Sequence, residues 1–328
     1  MGKQIDCPPV LICGFNRPDC LEMVVSAVKV AAPAQLFLAL DYPREGRPND
    51  VPGYEACKKI FNNVDWPCEV NRNYAEKNLG CGERMQSAIS WVFQHVDRAI
   101  ILEDDVVADP SFFRFCGELL ERYKDDMRVG MISGCDEHCH MHKVETYGDS
   151  YYFDRMTSIT GWATWRRAWE KFDPELKDWP FIRDNKLLDN IWHNRHFLKC
   201  HERWGDDLYF KRQRTWAGKW SLTMYRENWL SAHSAINLVT HMGVMSSRVD
   251  GCGNSKCSTV SREGSWIDNR PRFALDFPLQ HPRTMIPNTV SEYWHLEDVH
   301  SRHWWKHIPT SPADFRRKWR HLMKRIGR

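Results

Sequence analysis

The apolar run Ala99-Ile100-Ile101-Leu102, followed at once by Glu103, Asp104 and Asp105, constrains the fold more than any other segment. A short continuous apolar run is the pattern of a strand buried on both faces, and such strands belong to sheets covered by helices on either side. Similar runs occur at 9–15 (PVLICGF), 35–41 (QLFLALD) and 129–134 (VGMISG). Between them the apolar spacing becomes helical. Leu21, Val24, Val25 and Val28 fall at i, i+3, i+4, i+7 behind Pro18, which suits a helix start. Met85, Ala88, Ile89, Val92 and Phe93 share one face after Gly80 and Gly82. Asp109 and Pro110 form an N-cap and first helical position for a stripe of Phe112, Phe113, Cys116, Leu119, Leu120 and Tyr123. Tyr54 to Val64 is expected as a helix, Cys68 to Arg72 as a weak strand, and 43–53 as a loop. This alternation predicts an α/β fold: a mostly parallel central sheet with helices on both faces.

Past residue 140 the pattern loosens. A helix is expected near 162–171, carrying Trp162, Trp165 and Trp169 on one face as core packing, and a strand at 235–240. The stretch 179–220 is rich in Trp and His, 245–300 reads as loop, and 312–326 is helical again. At 42% apolar and 27% charged residues, the composition excludes a disordered, collagen-like or coiled-coil chain. No apolar stretch is long enough to span a bilayer, and the start lacks the apolar core of a secretory signal, so a cytoplasmic protein with free thiols is expected. The charge is uneven: residues 301–328 hold nine Lys or Arg and one acid, Asp314, while the whole chain carries only +3. The body is therefore mildly acidic, which argues against a nucleic-acid partner. Within 312–328, Phe315, Trp319, Leu322, Met323 and Ile326 line one side among seven basic residues, the build of a helix lying on an anionic membrane surface. A terminal helix packed on the body with solvated charges is the alternative.

The three acids carry the chemistry. Sheets of this kind bind ligands outside the carboxyl ends of their strands. Adjacent carboxylates there are costly unless a cation meets them, and hard Mg²⁺ or Mn²⁺ suits carboxylate oxygens together with substrate phosphates. That combination predicts a nucleotide held through its diphosphate; a solvated strand-end turn is the competing reading. A P-loop motif is absent, and GCGERM (80–85) has two of the three glycines of a dinucleotide fingerprint and follows no strand.

With PPVLICGFNRPDCLEMVVSAV, LFLALD, NLGCGERMQSAISWVF, IILEDDVVADPSFFRF and TGWATWRRAWEKFD in this order, the chain resembles sugar-nucleotide-dependent glycosyltransferases of the GT-A fold over roughly residues 8–245. The nearest likeness is to bacterial enzymes of surface-polysaccharide synthesis. A more distant one is to the Golgi N-acetylglucosaminyltransferase that starts complex N-glycan branches. The resemblance implies a glycosyltransferase domain over 1–245, with a nucleotide-binding half (1–135) and an acceptor half (136–245), and a C-terminal extension over 246–328. It implies that Phe15, Asn16 and Arg17 cradle the nucleotide and that Asp41 bonds the base. Asp105 would ligate Mn²⁺ or Mg²⁺, with Glu103 and Asp104 facing ribose and sugar. Gly161 and Trp162 would line donor sugar and acceptor. Asn237, Leu238 and Val239, before His241-Met242-Gly243, would lead into a mobile active-site loop. The implied reaction moves a hexose or N-acetylhexosamine, with a uridine diphosphate donor expected, to a hydroxyl of a glycan or lipid-linked acceptor.

One position departs from the family pattern. Relatives carry an Asp after the Trp of a W-D-x-x-W-like segment, the expected base; here Trp216 is followed by Ala217. Asp206 and Asp207 are the candidate replacements, with Glu227 also nearby in sequence. A non-catalytic sugar-nucleotide or glycan binder, or a sugar nucleotidyltransferase, are the alternative functions. Two further features stand apart: CDEHCHMH (135–142), an ordinary polar loop or a zinc site, and the pair Cys252 and Cys257 flanking a turn.

Overall fold

The computed structural model describes residues 7–135, 144–192, 195–212, 215–242 and 270–294. Its elements in chain order are β1 (Val10–Gly14), α1 (Pro18–Ala31), β2 (Gln35–Leu40), α2 (Asp50–Asn62), β3 (Glu69–Tyr74), α3 (Gly80–His95), β4 (Arg98–Glu103), β5 (Val106–Ala108), α4 (Pro110–Arg122) and β6 (Val129–Ser133). There follow β7 (Tyr151–Asp154), β8 (Trp162–Trp165), α5 (Arg166–Trp169), α6 (Trp179–Asp184), α7 (Arg195–Tyr209), α8 (Trp216–Arg226), β9 (Leu230–Ser234) and β10 (Val239–His241).

Eight strands form one sheet in the order β3-β2-β1-β4-β8-β6-β9-β7, and β5 pairs with β10 in a separate two-stranded sheet. β8 runs antiparallel to β4 and β6, β7 antiparallel to β9, and β10 antiparallel to β5, while the remaining pairs of the large sheet are parallel. The chain is thus a mixed α/β protein with a large, mostly parallel central sheet flanked by helices. Alternation along β1 divides the core. Val10 and Ile12 pack into one cluster with α1, α2 and α4, whereas Leu11 and Cys13 pack into the other with α3 and α8. α8 separates two clusters by its own periodicity: Trp216, Trp220 and Met224 face the sheet, and Leu222 and Tyr225 face a third cluster built with α6 and α7.

The predicted caps are present. Pro18 opens α1, and the Asp109 carboxylate accepts the Ser111 N–H at 2.9 Å at the head of α4. Two expectations need correction. The helix expected near 162–171 is strand β8 followed by the single helical turn α5, so Trp162 and Trp165 point to opposite faces of the sheet rather than along one helical stripe. Bulky and β-branched residues here pair with strands on both sides, and tertiary pairing overrides the local i, i+3 spacing. The strand expected at 235–240 is confined to β10 from Val239; residues 235–238 cross to it from β9, which ends at Ser234 in the main sheet. Smaller shifts are the start of α2 at Asp50, inside the segment expected as loop, and the end of β3 at Tyr74.

Residues 270–294 lie against the same body. Leu279 joins the core cluster of α4, the Leu275 N–H donates to Ser111 Oγ at 3.0 Å, and the Asn288 N–H donates to the Phe153 carbonyl at 2.6 Å. Cys7, Cys13, Cys20, Cys57, Cys68 and Cys116 are free thiols, as expected. The segment 136–142, Cys252 and Cys257, and the basic stretch 312–328 lie outside the described residues.

Candidate functional site

Strand order decides where a ligand can enter. The chain leaves β1 toward β2 on one side and reaches β4 on the other, so the connections diverge between neighbouring β1 and β4. Such a switch point opens a crevice at the carboxyl ends of the strands. Residues 15–17 follow β1, and Glu103 ends β4 with Asp104 and Asp105 in the turn after it, so the two sequence-predicted groups flank this crevice.

There they bond to each other. The Phe15 N–H donates to Asp104 Oδ2 at 3.1 Å. Arg17 donates from one guanidinium nitrogen to Asp105 Oδ2 at 2.7 Å and from the other to Asp104 Oδ1. The Met242 N–H donates to the Asp105 carbonyl at 2.7 Å, and His241 Nε2 stands 3.5 Å from Asp105 Oδ2. β10 pairs with β5 immediately after the acids, which is why a residue 136 positions along the chain from Asp105 reaches it. Asp104 and Asp105 are 1% and 5% exposed, which overturns the reading of this segment as a solvated turn.

Burial and the guanidinium set the proton affinities. Burial pushes Glu103 up to about 7, helped by the Asp105 charge and opposed by His241 and Arg17. Burial also holds the Asp104 carboxyl above its ordinary range despite Arg17. For Asp105, burial is outweighed by Arg17 and then His241, and its carboxyl lies below the ordinary range. Of the three acids, Asp105 is the one whose ionised form these neighbours favour.

The other predicted residues have distinct settings. Asn16 is buried and donates to Asp50 Oδ1 at 2.9 Å, while the Arg44 Nε donates to Asp50 Oδ2 at 2.7 Å. A Cβ on Gly53 would stand 2.3 Å from the Asn16 carbonyl oxygen, so glycine permits α2 to approach this loop. Asp41 is buried, with its carboxylate accepting from the backbone N–H groups of Tyr42, Leu79 and Gly80 and from the Asn78 side chain. It ties the end of β2 to the start of α3. Gly161 takes φ +66°, and its carbonyl accepts the Gly134 N–H at 3.0 Å. Trp162 is 1% exposed and stacks on Trp216 at 5.9 Å, so it packs in the core, the first of the two roles its sequence suggests.

Asp206 and Asp207 belong to the α6–α7–α8 layer. Asp206 accepts from Trp179 Nε1 and Arg183, each at 3.0 Å, and Asp207 from Arg212 at 2.9 Å. Burial raises Asp206, but the bonds from Trp179 and Arg183 outweigh it and hold the carboxyl low. Ala217 packs against the cluster on the α3 side of the sheet.

Two groupings escaped the sequence reading. One is Asp50 with Arg44, which supports the 15–17 loop through Asn16. The other is a buried set far along the chain, where Asp154 meets His233 Nε2 at 3.1 Å and Ser291 Oγ at 2.8 Å, and Glu292 meets Arg155 at 2.9 Å. The first is local, six positions apart, but matches no motif; the second forms only when the sheet is assembled. Among the described residues, no group of three or more His, Cys, Asp or Glu converges as a metal centre. A cavity of about 640 Å³, lined by Pro9, Gln35, Arg98, Lys124, Arg166 and Glu170 among others, lies at the amino ends of β1, β2 and β4. That is the end of the sheet opposite the acids, and its mixed charges favour no one ligand.

No family model matches the chain, and no curated protein matches it. Among solved structures, HddC from Yersinia pseudotuberculosis, crystallised in complex with GMP-PN, is 10% identical, covers 49% of this chain and 77% of its own, and superposes with a TM-score of 0.29. A second HddC structure gives a TM-score of 0.30 at the same identity and coverage. Likeness at that level carries no argument about this chain. The class is defined by the sheet itself: an α/β protein whose charged crevice sits at the switch point of its strands.

Proposed function

We propose that the chain is a metal-dependent glycosyltransferase of the GT-A type that takes a nucleoside-diphosphate sugar into the crevice between β1 and β4. The observation that carries this reading is the meeting of buried Asp104 and Asp105 with Arg17 at the strand switch point. An arginine fork matches phosphate oxygens geometrically, and a hard carboxylate matches Mg²⁺ or Mn²⁺.

The residues present fit one divalent ion shared with substrate phosphates. Asp105 is the candidate protein ligand, since its carboxyl is held ionised and already attracts a cation. When bound, such an ion supplies Lewis-acid stabilisation to the departing diphosphate. The chain's own residues do the positioning. The loop 15–17, fixed through Asn16 and Asp50, faces the phosphates, and Asp104 orients that loop through the Phe15 N–H. A uridine diphosphate donor and a glycan or lipid-linked acceptor extend the resemblance and belong to the same proposal.

A second reading is favoured by Ala217 and by the ion-paired state of Asp206 and Asp207. The Asp206 carboxyl, held low by the bonds from Trp179 and Arg183, is a weak proton acceptor, so a protein that binds the donor without transferring its sugar fits this arrangement. A thermal-shift screen of nucleotide sugars with and without Mn²⁺ tests both. Stabilisation by a nucleotide sugar supports the shared binding step. Release of nucleoside diphosphate then selects the enzyme, and its absence over long incubation with acceptor mixtures selects the binder. If no nucleotide sugar shifts the melting temperature, both readings fall.

A further inference from the structure

We propose that Arg17 is the resident counter-cation of this crevice, and that a divalent ion gains Asp105 only when an anionic diphosphate draws the guanidinium away. The inference rests on the reading of the crevice as a nucleoside-diphosphate site and adds how that site is regulated.

The argument begins with charge. Asp104 and Asp105 are both nearly inaccessible, and two buried carboxylates side by side need a cation. Arg17 supplies it with both arms of one guanidinium. Asp105 is reached at 2.7 Å, on the oxygen that His241 also approaches. A dication seeking that oxygen meets a permanently charged group already in hydrogen-bonding contact with it. Carboxylate-bound arginine and carboxylate-bound metal are therefore competing states of one site.

Arg17 also has somewhere to go. Its side chain is 26% exposed while the side chains of the two acids are 2% and 7% exposed, so the guanidinium is the accessible member of the three and covers the acid pair. Arginine binds phosphate with the same fork it uses for carboxylate. A diphosphate entering between β1 and β4 offers this fork a second anionic partner and frees the Asp105 oxygen. Metal and nucleotide then bind with positive coupling, each raising the affinity for the other by the same factor.

The test is Mn²⁺ binding to the full chain, followed by the loss of the free-ion electron paramagnetic resonance signal. Wild type is expected to bind Mn²⁺ at least about tenfold more tightly with saturating uridine diphosphate than alone. Arg17→Gln is expected to bind Mn²⁺ alone about tenfold or more tightly than wild type and to lose most of the coupling, while Arg17→Lys, which keeps the charge, stays weak without nucleotide. Equal affinities of wild type and Arg17→Gln for Mn²⁺ alone overturn the proposal. If Arg17→Gln does not fold, the wild-type coupling decides: a ratio near one overturns it. A gain for Arg17→Gln with no uridine diphosphate binding to either protein keeps the competition between arginine and metal but sinks the nucleotide reading.

Discussion

The crevice at β1 and β4 and the buried set beneath β7 and β9 are built from the same groups: acids, one arginine and one histidine. In the first, Arg17 faces Asp104 and Asp105 with His241 alongside; in the second, Arg155 faces Glu292, and His233 faces Asp154. Their surroundings differ. Glu292 accepts both the backbone N–H and the guanidinium of Arg155, and Asp154 accepts the Met156 N–H and Ser291 Oγ, so each acid clamps residues 291–292 to the end of β7. Asp105 is met by side chains from two other segments, on the carboxyl side of the sheet where loops part. Identical chemistry serves as a fastener where chain closes over it and as a candidate ligand site where strand order opens a crevice.

Substitutions separate the two roles. Asp105→Asn is expected to have the largest effect, a loss of sugar transfer of about 100-fold or more, since removing one electrostatic group at a reacting centre costs on that order. Kinetics with a nucleotide sugar check it, and an unchanged rate breaks the comparison. Arg155→Met leaves Glu292 buried beside Asp154 without its partner, which costs about 3 kcal/mol of stability and leaves nucleotide affinity within twofold. Urea denaturation and a binding titration read both quantities on one sample.

The second set also predicts a pH dependence. Burial, and then the Asp154 charge, push Glu292 up to about 7 from an ordinary 4.5. A folded-state pKa above the unfolded one means the fold retains a proton that the unfolded chain releases. The stability this confers is complete below 4.5 and is lost as pH rises through about 7. By linkage the loss is on the order of 3 kcal/mol. Urea midpoints at pH 4.5 and pH 8 measure it, and Glu292→Gln is expected to flatten the difference. A wild-type midpoint that does not fall across this interval removes the assigned cause.

Gly53→Ala tests how the crevice is supported. Its Cβ would meet the Asn16 carbonyl at 2.3 Å, so α2 or the 15–17 loop must move. A cost of about 1–3 kcal/mol is expected, with weakened nucleotide binding, because overpacking shifts backbone. Asp206→Asn carries the smallest effect, less than about threefold on rate, because its carboxylate bonds within the α6–α7 layer. A loss above 100-fold would instead make it the base that the sequence proposed.

The first half of the fold was legible in residue order. Apolar runs and helical stripes marked β1, α1, β2, α3, β4, α4 and β6, because buried strands and amphipathic helices leave different periods in any chain. The acids after β4 were legible too, since charge directly after a buried run is costly without a partner. The failures began where pairing came from distant segments. Trp162, Trp165 and Trp169 carry helical spacing, yet β4 and β6 hold Trp162–Trp165 as a strand. β9 went unmarked, and the strand expected at 235–240 proved to start only at Val239, because β9 pairs with β6 and β7 and β10 with β5, all distant in sequence.

What the sequence determined alone was the alternating architecture and the presence of an acidic strand end, both consequences of local patterning. Only the tertiary structure decided that Arg17 and His241 meet those acids, that Asp41 ties β2 to α3, and that Trp162 and Trp165 enter the core on opposite faces of the sheet. Contacts among residues tens to hundreds of positions apart depend on strand order, which local periodicity does not encode.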